Sequence, residues 1–248
     1  MSSAATELIP EGRYVERSVP ILEVDAALAR ELGPELTEKF GPVLRADVVH
    51  VDGRSWNPEE VSLGPEPGLG LILVEGLMER EVRVAGRTAA EVLGPGDILR
   101  PWDIVDATDA CVPVDAAWTV LEPLRVAVLG ERASAVAVQC PRLASILMGR
   151  AVGRVRSIAA LLAIAQIRRL DVRILTLLWH LADRFGRVRA DGVAVEVPLK
   201  HATMAKLLAA TRPSVSSALA ELAGRGEIER LQGGGWLLKG APPAIPPD

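Results

Sequence analysis

The apolar positions of this chain change their period a little past its midpoint. From Val43 to about Leu129 they fall in short runs, among them Val43–Val51, Gly70–Glu75, Glu79–Val84 and Trp118–Leu129. Asp52-Gly53, Gly64-Pro65, Gly86 and Gly94-Pro95-Gly96-Asp97 break the runs. Closely spaced short strands with Gly/Pro turns predict a sandwich or a barrel-like roll. Before them, Leu22–Leu32 has the spacing of a short helix.

Past Cys140-Pro141 the period becomes helical. Ala144, Met148, Ala151, Val155, Ile158, Leu162 and Ala165 follow one another at alternating steps of four and three. That is an a/d seam over three heptads, and its small and β-branched residues suit close pairing of two chains. Arg150, Arg154, Arg156 and Arg168 lie off it. An ordinary core-facing helix would show the same steps, so the spacing leaves both readings open.

The remainder reads as helix, strand, helix, turn, helix, hairpin. Val172–Asp183 carries Ile174, Leu177, Leu178 and Leu181 on one face, and Val193–Val197 alternates as a strand. Lys200–Ala209 and Arg212–Ala223 are two short helices around Ala210-Thr211. Glu227–Leu231 and Trp236–Lys239 form a two-stranded wing through Gly233-Gly234-Gly235. The tail Pro242–Asp248 is Pro-rich and predicts disorder.

Two short helices joined by a tight turn, the second basic at its start, predict a helix-turn-helix. In that motif the second helix enters the DNA major groove, N-terminal residues first. Thr211 suits the N-cap, and Pro213 falls in the first turn, where no N–H is needed. Val215, Leu219 and Leu222 would face inward, leaving Arg212, Ser214, Ser216 and Ser217 for DNA. Arg212 can fork onto guanine, while serines suit phosphates or an undemanding base contact.

Charge agrees with this division. Residues 1–140 hold 12 Arg/Lys against 24 Asp/Glu, net −12, and residues 141–248 hold 16 against 8, net +8, within the whole chain's −4. Only the second half is suited to a polyanion. It lacks the long polybasic amphipathic helix with aromatic anchors that lipid binding uses, so nucleic acid is the expected partner. No run of 18 apolar residues predicts a membrane span. The first twenty residues lack an apolar core, so no secretory signal is expected and the default location is cytoplasmic. Cys111 and Cys140 are too few and too far apart for a disulfide framework or a zinc ribbon. They read as reduced thiols, with a redox switch as the alternative.

At this point a resemblance becomes specific. The stretch from Leu199 through Leu219, with Gly226-Glu-Ile-Glu-Arg-Leu231 beyond it, resembles the DNA-binding domain of the Crp/Fnr (catabolite activator) family. Leu73-Val-Glu-Gly76 and Gly94-Pro-Gly-Asp97-Ile resemble turns of that family's β-roll, and Leu170-Asp171-Val172 its hinge. The resemblance spans about Leu22 to Gly240, and its specificity lies in the order of the pieces. It implies that Arg212 is the guanine reader. It also implies that Lys200, His201, Thr211 and Ser214 contact phosphates. Pro213 and Ser217 stand where many members have a base-reading glutamate and an arginine, which puts the usual half-site in doubt.

The sensor end departs further. Cyclic-AMP-binding members carry a Gly-Glu-Leu stretch and an Arg-Ser pair that holds the cyclic phosphate. Here Arg100-Pro101-Trp102-Asp103 replaces the first, and Asp115-Ala116 aligns with the second, counting back from Trp118. A carboxylate repels a phosphate, so cyclic AMP is not the expected effector. Arg100, Trp102, Asp103, Asp115 and Trp118 are the candidate lining of a pocket for an unidentified effector. Trp56, Trp102 and Trp118 otherwise simply fill the core of the roll. His50, the one histidine of the roll, reads as a half-exposed strand residue rather than a haem ligand. No other cofactor and no metal is expected.

The combined expectation is an α+β chain. An N-terminal double-stranded β-helix (a cupin-like β-roll, residues 1–139) precedes a dimerisation helix (140–169). A winged helix-turn-helix (170–240) and a disordered tail (241–248) complete it. It implies a non-enzymatic homodimeric transcription regulator that binds double-stranded DNA, with RNA polymerase as a candidate further partner. Two alternatives remain. One is a dimeric scaffold whose winged domain binds protein. The other is a cupin-type enzyme, which would need two or three converging histidines and a carboxylate.

Overall fold

Most runs predicted as strands in the N-terminal half are strands of one sheet, but their bounds differ. The computed structural model describes residues 7–9, 13–61, 68–101 and 111–243. These divide into two units, Met1–Ala85 with Val92–Arg156, and Gly86–Glu91 with Ser157–Asp248. The strands of the large sheet are β1 (Glu7–Ile9), β2 (Arg13–Pro20), β3 (Arg45–Val51), β4 (Gly70–Val84), β5 (Arg87–Leu93), β6 (Ile98–Leu99) and β7 (Val114–Leu129). Their order is β1-β2-β3-β7-β4-β5, with β6 paired to β4.

The two runs Gly70–Glu75 and Glu79–Val84 are a single strand. β4 pairs antiparallel with β7 from Gly70↔Leu129 to Val84↔Val114, with register shifts between Leu73 and Met78. Gly76 lies at the shift with φ 86°, and a Cβ there would sit 2.0 Å from the Pro123 carbonyl oxygen. Only glycine fits this approach, and Pro123 opposite it is tolerated because the ladder is already broken. The two resembling segments meet here. The Leu73 N–H donates to the Asp97 carbonyl (3.0 Å) and the Gly96 N–H to the Leu73 carbonyl (2.8 Å). Asp97, 4% exposed, closes its turn by accepting from the Gly94 N–H at 2.8 Å.

Strand alternation sends side chains to two apolar clusters. Val49, Val51, Leu71, Leu73, Leu124 and Val126 join Trp56 and Met78 on one face. Val48, Ile72 and Ala127 face the other way. There they meet α1 (Ile21–Val24), α2 (Ala26–Leu32), α3 (Pro34–Phe40), α4 (Glu131–Gln139) and the first turns of α5 (Pro141–Ala165). Burial on both faces is why these strands read as continuous apolar runs. The helix predicted over Leu22–Leu32 is broken at Asp25, which ends α1 and caps α2 by accepting from the Leu28 N–H at 2.8 Å.

The second unit holds α6 (Leu170–Phe185), β8 (Gly186–Arg189), β9 (Gly192–Val195), α7 (His201–Leu207), α8 (Arg212–Gly224), β10 (Ile228–Arg230) and β11 (Trp236–Leu238). The predicted lone strand and wing join β8, a strand the sequence pattern did not predict, in one four-stranded sheet of order β10-β11-β9-β8, with Trp236 opposite Val195. Ile174, Leu177, Leu178 and Leu181 are buried on α6, as their spacing predicts. No helix among the described residues is long and apolar enough to cross a membrane.

Candidate nucleic-acid interface

The helix-turn-helix is held by its own apolar side chains and by one arginine. On α8, Val215 and Leu222 are fully buried and Leu219 is 2% exposed. Each stabilises the domain by about 2 kcal/mol through burial alone. On α7, Thr203, Met204, Ala205 and Leu207 are buried. The turn between the helices passes through Ala209, a non-glycine residue at φ 48°. Arg173 on α6 was not singled out from the sequence, yet it anchors this turn. Its Nη1 donates to the Leu208 carbonyl at 2.9 Å, and its Nε donates to the Ile167 carbonyl at 2.7 Å. A lone arginine on a helix otherwise read for its apolar face carries no sequence signal of that role.

With the apolar face sunk, the start of α8 presents polar groups. Thr211 is the N-cap, accepting from the Ser214 N–H at 3.4 Å, and its hydroxyl lies 2.8 Å from that of Ser214. Pro213 stands in the first turn. Thr211, Arg212, Ser214 and Ser217 are exposed, as is Lys200 at the N-cap of α7. His201 and Ser216 are half-buried and joined, His201 Nδ1 to Ser216 Oγ at 2.8 Å. The Ser216 hydroxyl also donates to the Arg212 carbonyl at 3.0 Å. All seven residues expected at the interface therefore lie on α7, α8 or their caps.

Arg212 and Arg230 place positive charge beside His201 on this surface. The Arg230 guanidinium on β10 stacks over the Trp236 ring, 4.8 Å from its centroid. Burial holds the His201 pKa below the ordinary histidine value, and the positive charges of Arg230 and Arg212 push it the same way. At the start of α6, Asp171 takes ion pairs from Arg169 (2.8 Å) and Arg225 (3.1 Å). The hydrogen bond from Arg169 is the main reason its pKa is lowered.

The candidate effector residues are arranged differently from the expectation of one lining. Trp102 and Asp103 lie outside the described residues. Arg100 is exposed, and its Nη1 donates to the Gly68 carbonyl at 3.0 Å. Asp115 and Trp118, three residues apart on β7 opposite Arg83 and Arg80, point to opposite faces of the strand. Trp118 is half-buried against the apolar cluster that contains Trp56. A cavity of about 300 Å³ lies elsewhere in the roll, lined by Arg13, Arg17, Asp47, Trp56, Glu60 and four valines. His50 stacks on Tyr14 with ring centroids 4.1 Å apart, and its Nε2 is 3.3 Å from Glu16 Oε2. Cys111 is exposed and Cys140 buried, both as free thiols. Among the described residues no cluster of three or more His, Cys, Asp or Glu could hold a metal.

Comparison with known proteins agrees with this geometry. Residues 172–239 match the Crp-like helix-turn-helix domain. A CRP-family transcriptional regulator from Thermus thermophilus is 25% identical, with TM-score 0.51, covering 76% of this chain and 90% of its own. A CooA mutant from Carboxydothermus hydrogenoformans superposes with TM-score 0.58 at 17% identity, over 78% of this chain and 83% of that one. FixK2 from Bradyrhizobium japonicum gives TM-score 0.52 at 18% identity, over 77% and 87%. No curated protein matches the chain. The likeness to the Crp/Fnr family expected from the sequence is borne out, in the C-terminal domain by sequence and in the remainder by fold. That likeness sets the chain with transcription regulators rather than with cupin-type enzymes.

Proposed function

We propose that this Crp/Fnr-type protein is a homodimeric transcription regulator that reads a pseudo-palindromic operator with α8. The observation that carries this reading is the division of α8. Val215, Leu219 and Leu222 are sunk in the domain, while Arg212, Ser214 and Ser217 remain exposed at the end that enters a major groove. Arg212 reads guanine, and Lys200, His201, Thr211, Ser214, Ser216 and Ser217 contact phosphates or make a minor base contact.

The seam on α5 supports the dimer. Met148 is 66% exposed in the single chain, Val155 65% and Leu162 61%, whereas Leu143, Ile146 and Leu147 on the opposite side are buried. Water-exposed apolar side chains at heptad spacing are the signature of a helix that pairs with a second copy. In this reading residues 1–139 are the sensor, 140–169 the dimer helix and 170–240 the DNA-binding domain. A small-molecule signal at the β-roll, other than cyclic AMP, modulates binding. Asp115 and Ala116 offer a cyclic phosphate a negative charge and no hydrogen bond. A cytoplasmic location and contact with RNA polymerase follow from the same role.

Salt-dependent binding to a random duplex tests the reading. Each phosphate neutralised contributes about 0.9 to the slope of log affinity against log salt. A steep slope is expected; a chain that shows no affinity for duplex DNA is the protein-binding scaffold instead.

A further inference from the structure

We propose that DNA binding by this protein takes up a proton at His201, so that its affinity for duplex DNA rises as the pH falls. The inference rests on the DNA-binding reading of this domain and adds a regulatory property to it.

The hydrogen bonds around the ring carry the argument. His201 opens α7 and reaches α8 through Nδ1, 2.8 Å from Ser216 Oγ. The Ser216 hydrogen is already directed at the Arg212 carbonyl, 3.0 Å away. Ser216 Oγ therefore accepts from His201, and the proton of the neutral ring resides on Nδ1. Nε2 is then a bare lone pair, which repels a phosphate oxygen. Protonated, the same atom is a charged donor that pairs with it.

Burial, more strongly, and the charges facing the ring set the direction together. Arg212 on α8 and Arg230 on β10 act on it, and both oppose a further positive charge. Lys200 and Lys206 lie along its own helix. The carboxylates at β10 are engaged elsewhere, Glu229 with Lys239 at 2.8 Å and Glu227 with Arg225. Burial also favours the neutral ring. The free protein thus leaves His201 uncharged near neutral pH, because burial and then Arg230 and Arg212 disfavour its charged form. DNA supplies an anion and at the same time offsets Arg212 and Arg230. The ring's pKa is consequently higher in the complex than in the free protein. By linkage, the gain in affinity is complete below the free-state pKa and is lost as pH rises through the bound-state pKa. The slope reaches about one log unit of affinity per pH unit for each protomer on DNA.

The test uses the full chain and a random 30-base-pair duplex, titrated at fixed ionic strength across the range where histidines change charge, roughly pH 5 to 8. Wild type should bind more tightly as pH falls, with a salt slope larger by about one unit per protomer at the acidic end. His201→Gln, which keeps a donor toward Ser216, should lose the pH dependence attributable to this site. His201→Lys should bind tightly and without that dependence at every pH. The His201 ring titration, followed by NMR in wild type, should move to higher pH when DNA is added. Steep salt dependence with an unmoved His201 titration, or an unchanged pH slope in His201→Gln, overturns this inference and leaves the DNA reading standing. Absence of binding at every pH overturns both.

Discussion

Arg150 on α5 forks onto Asp25, with Nη1 2.6 Å from Oδ2 and Nη2 3.4 Å from Oδ1. The two side chains are 10% and 7% exposed, and Asp25 also caps α2 through the Leu28 N–H. Arg150 Nη2 reaches Glu31 as well, at 2.8 Å. Burial is the largest single influence on the guanidinium and opposes its charge, but Asp25 and Glu31 together outweigh it and raise its pKa. The helix that carries the seam is thereby tied to the N-terminal helices of the roll.

Removing one partner of such a pair strands the other charge. Arg150→Met should cost about 3 kcal/mol in urea denaturation, whereas Glu31→Gln, at a 46% exposed partner, should cost less than about 1 kcal/mol. Adding Asp25→Asn to Arg150→Met should recover part of the loss. Equal losses for Arg150→Met and Glu31→Gln would show that the buried pair has no special weight.

If α5 pairs with a second copy as proposed, Leu162→Glu should split the dimer, because pairing would desolvate the introduced charge. Val138→Glu, on α4 at a residue 83% exposed, is the matched control and should not. Sedimentation velocity reads both. An unchanged Leu162→Glu dimer would remove the seam from 144–165.

Base reading and phosphate contact can be separated. Arg212→Ala should weaken binding to a selected operator by about 1–3 kcal/mol and relax preference at one base pair per half-site. The affected pairs should recur about one helical turn apart. Lys200→Ala should weaken specific and random duplexes alike and lower the salt slope by about one unit. If Arg212→Ala lowers both affinities equally and leaves base preference intact, Arg212 is a phosphate contact only.

Ala209 holds a left-handed backbone in the turn before α8, which glycine adopts without the Cβ penalty. Ala209→Gly should raise the stability of the DNA-binding domain by about 1 kcal/mol, seen as a higher midpoint of denaturation. A drop in the midpoint would place the strain elsewhere.

His180 Nε2 lies 2.9 Å from Ser157 Oγ, and burial is the main reason its pKa is lowered. With the folded pKa below the unfolded one, the unfolded chain binds more protons as pH falls. This contribution to stability is full above the unfolded value near 6.5 and is lost on acidification through the folded one. His180→Gln should flatten the decline in melting temperature between about pH 7 and pH 5. A decline as steep as wild type would assign the acid sensitivity to other groups.

Much of the C-terminal domain was legible because its signals are local. The N-cap at Thr211, the proline in the first turn and the inward face of Val215, Leu219 and Leu222 depend on residues a few positions apart. The exposed apolar side of α5 was legible for the same reason, since helical spacing puts Met148, Val155 and Leu162 together without reference to the remainder of the chain. The family likeness added order, which single motifs lack.

What tertiary structure decided are the relations between distant residues. That Gly70–Glu75 and Glu79–Val84 form one strand depends on the partner β7, whose Pro123 accommodates the register shift at Gly76. That Arg173 clamps the Leu208 carbonyl, and that Arg150 belongs with Asp25, joins positions 35 and 125 residues apart. Asp115 and Trp118 resembled two walls of one pocket in sequence, yet strand alternation turns them to opposite faces. Local spacing determines which face of an element is apolar; only the packed chain determines what that face, and each charge beside it, meets.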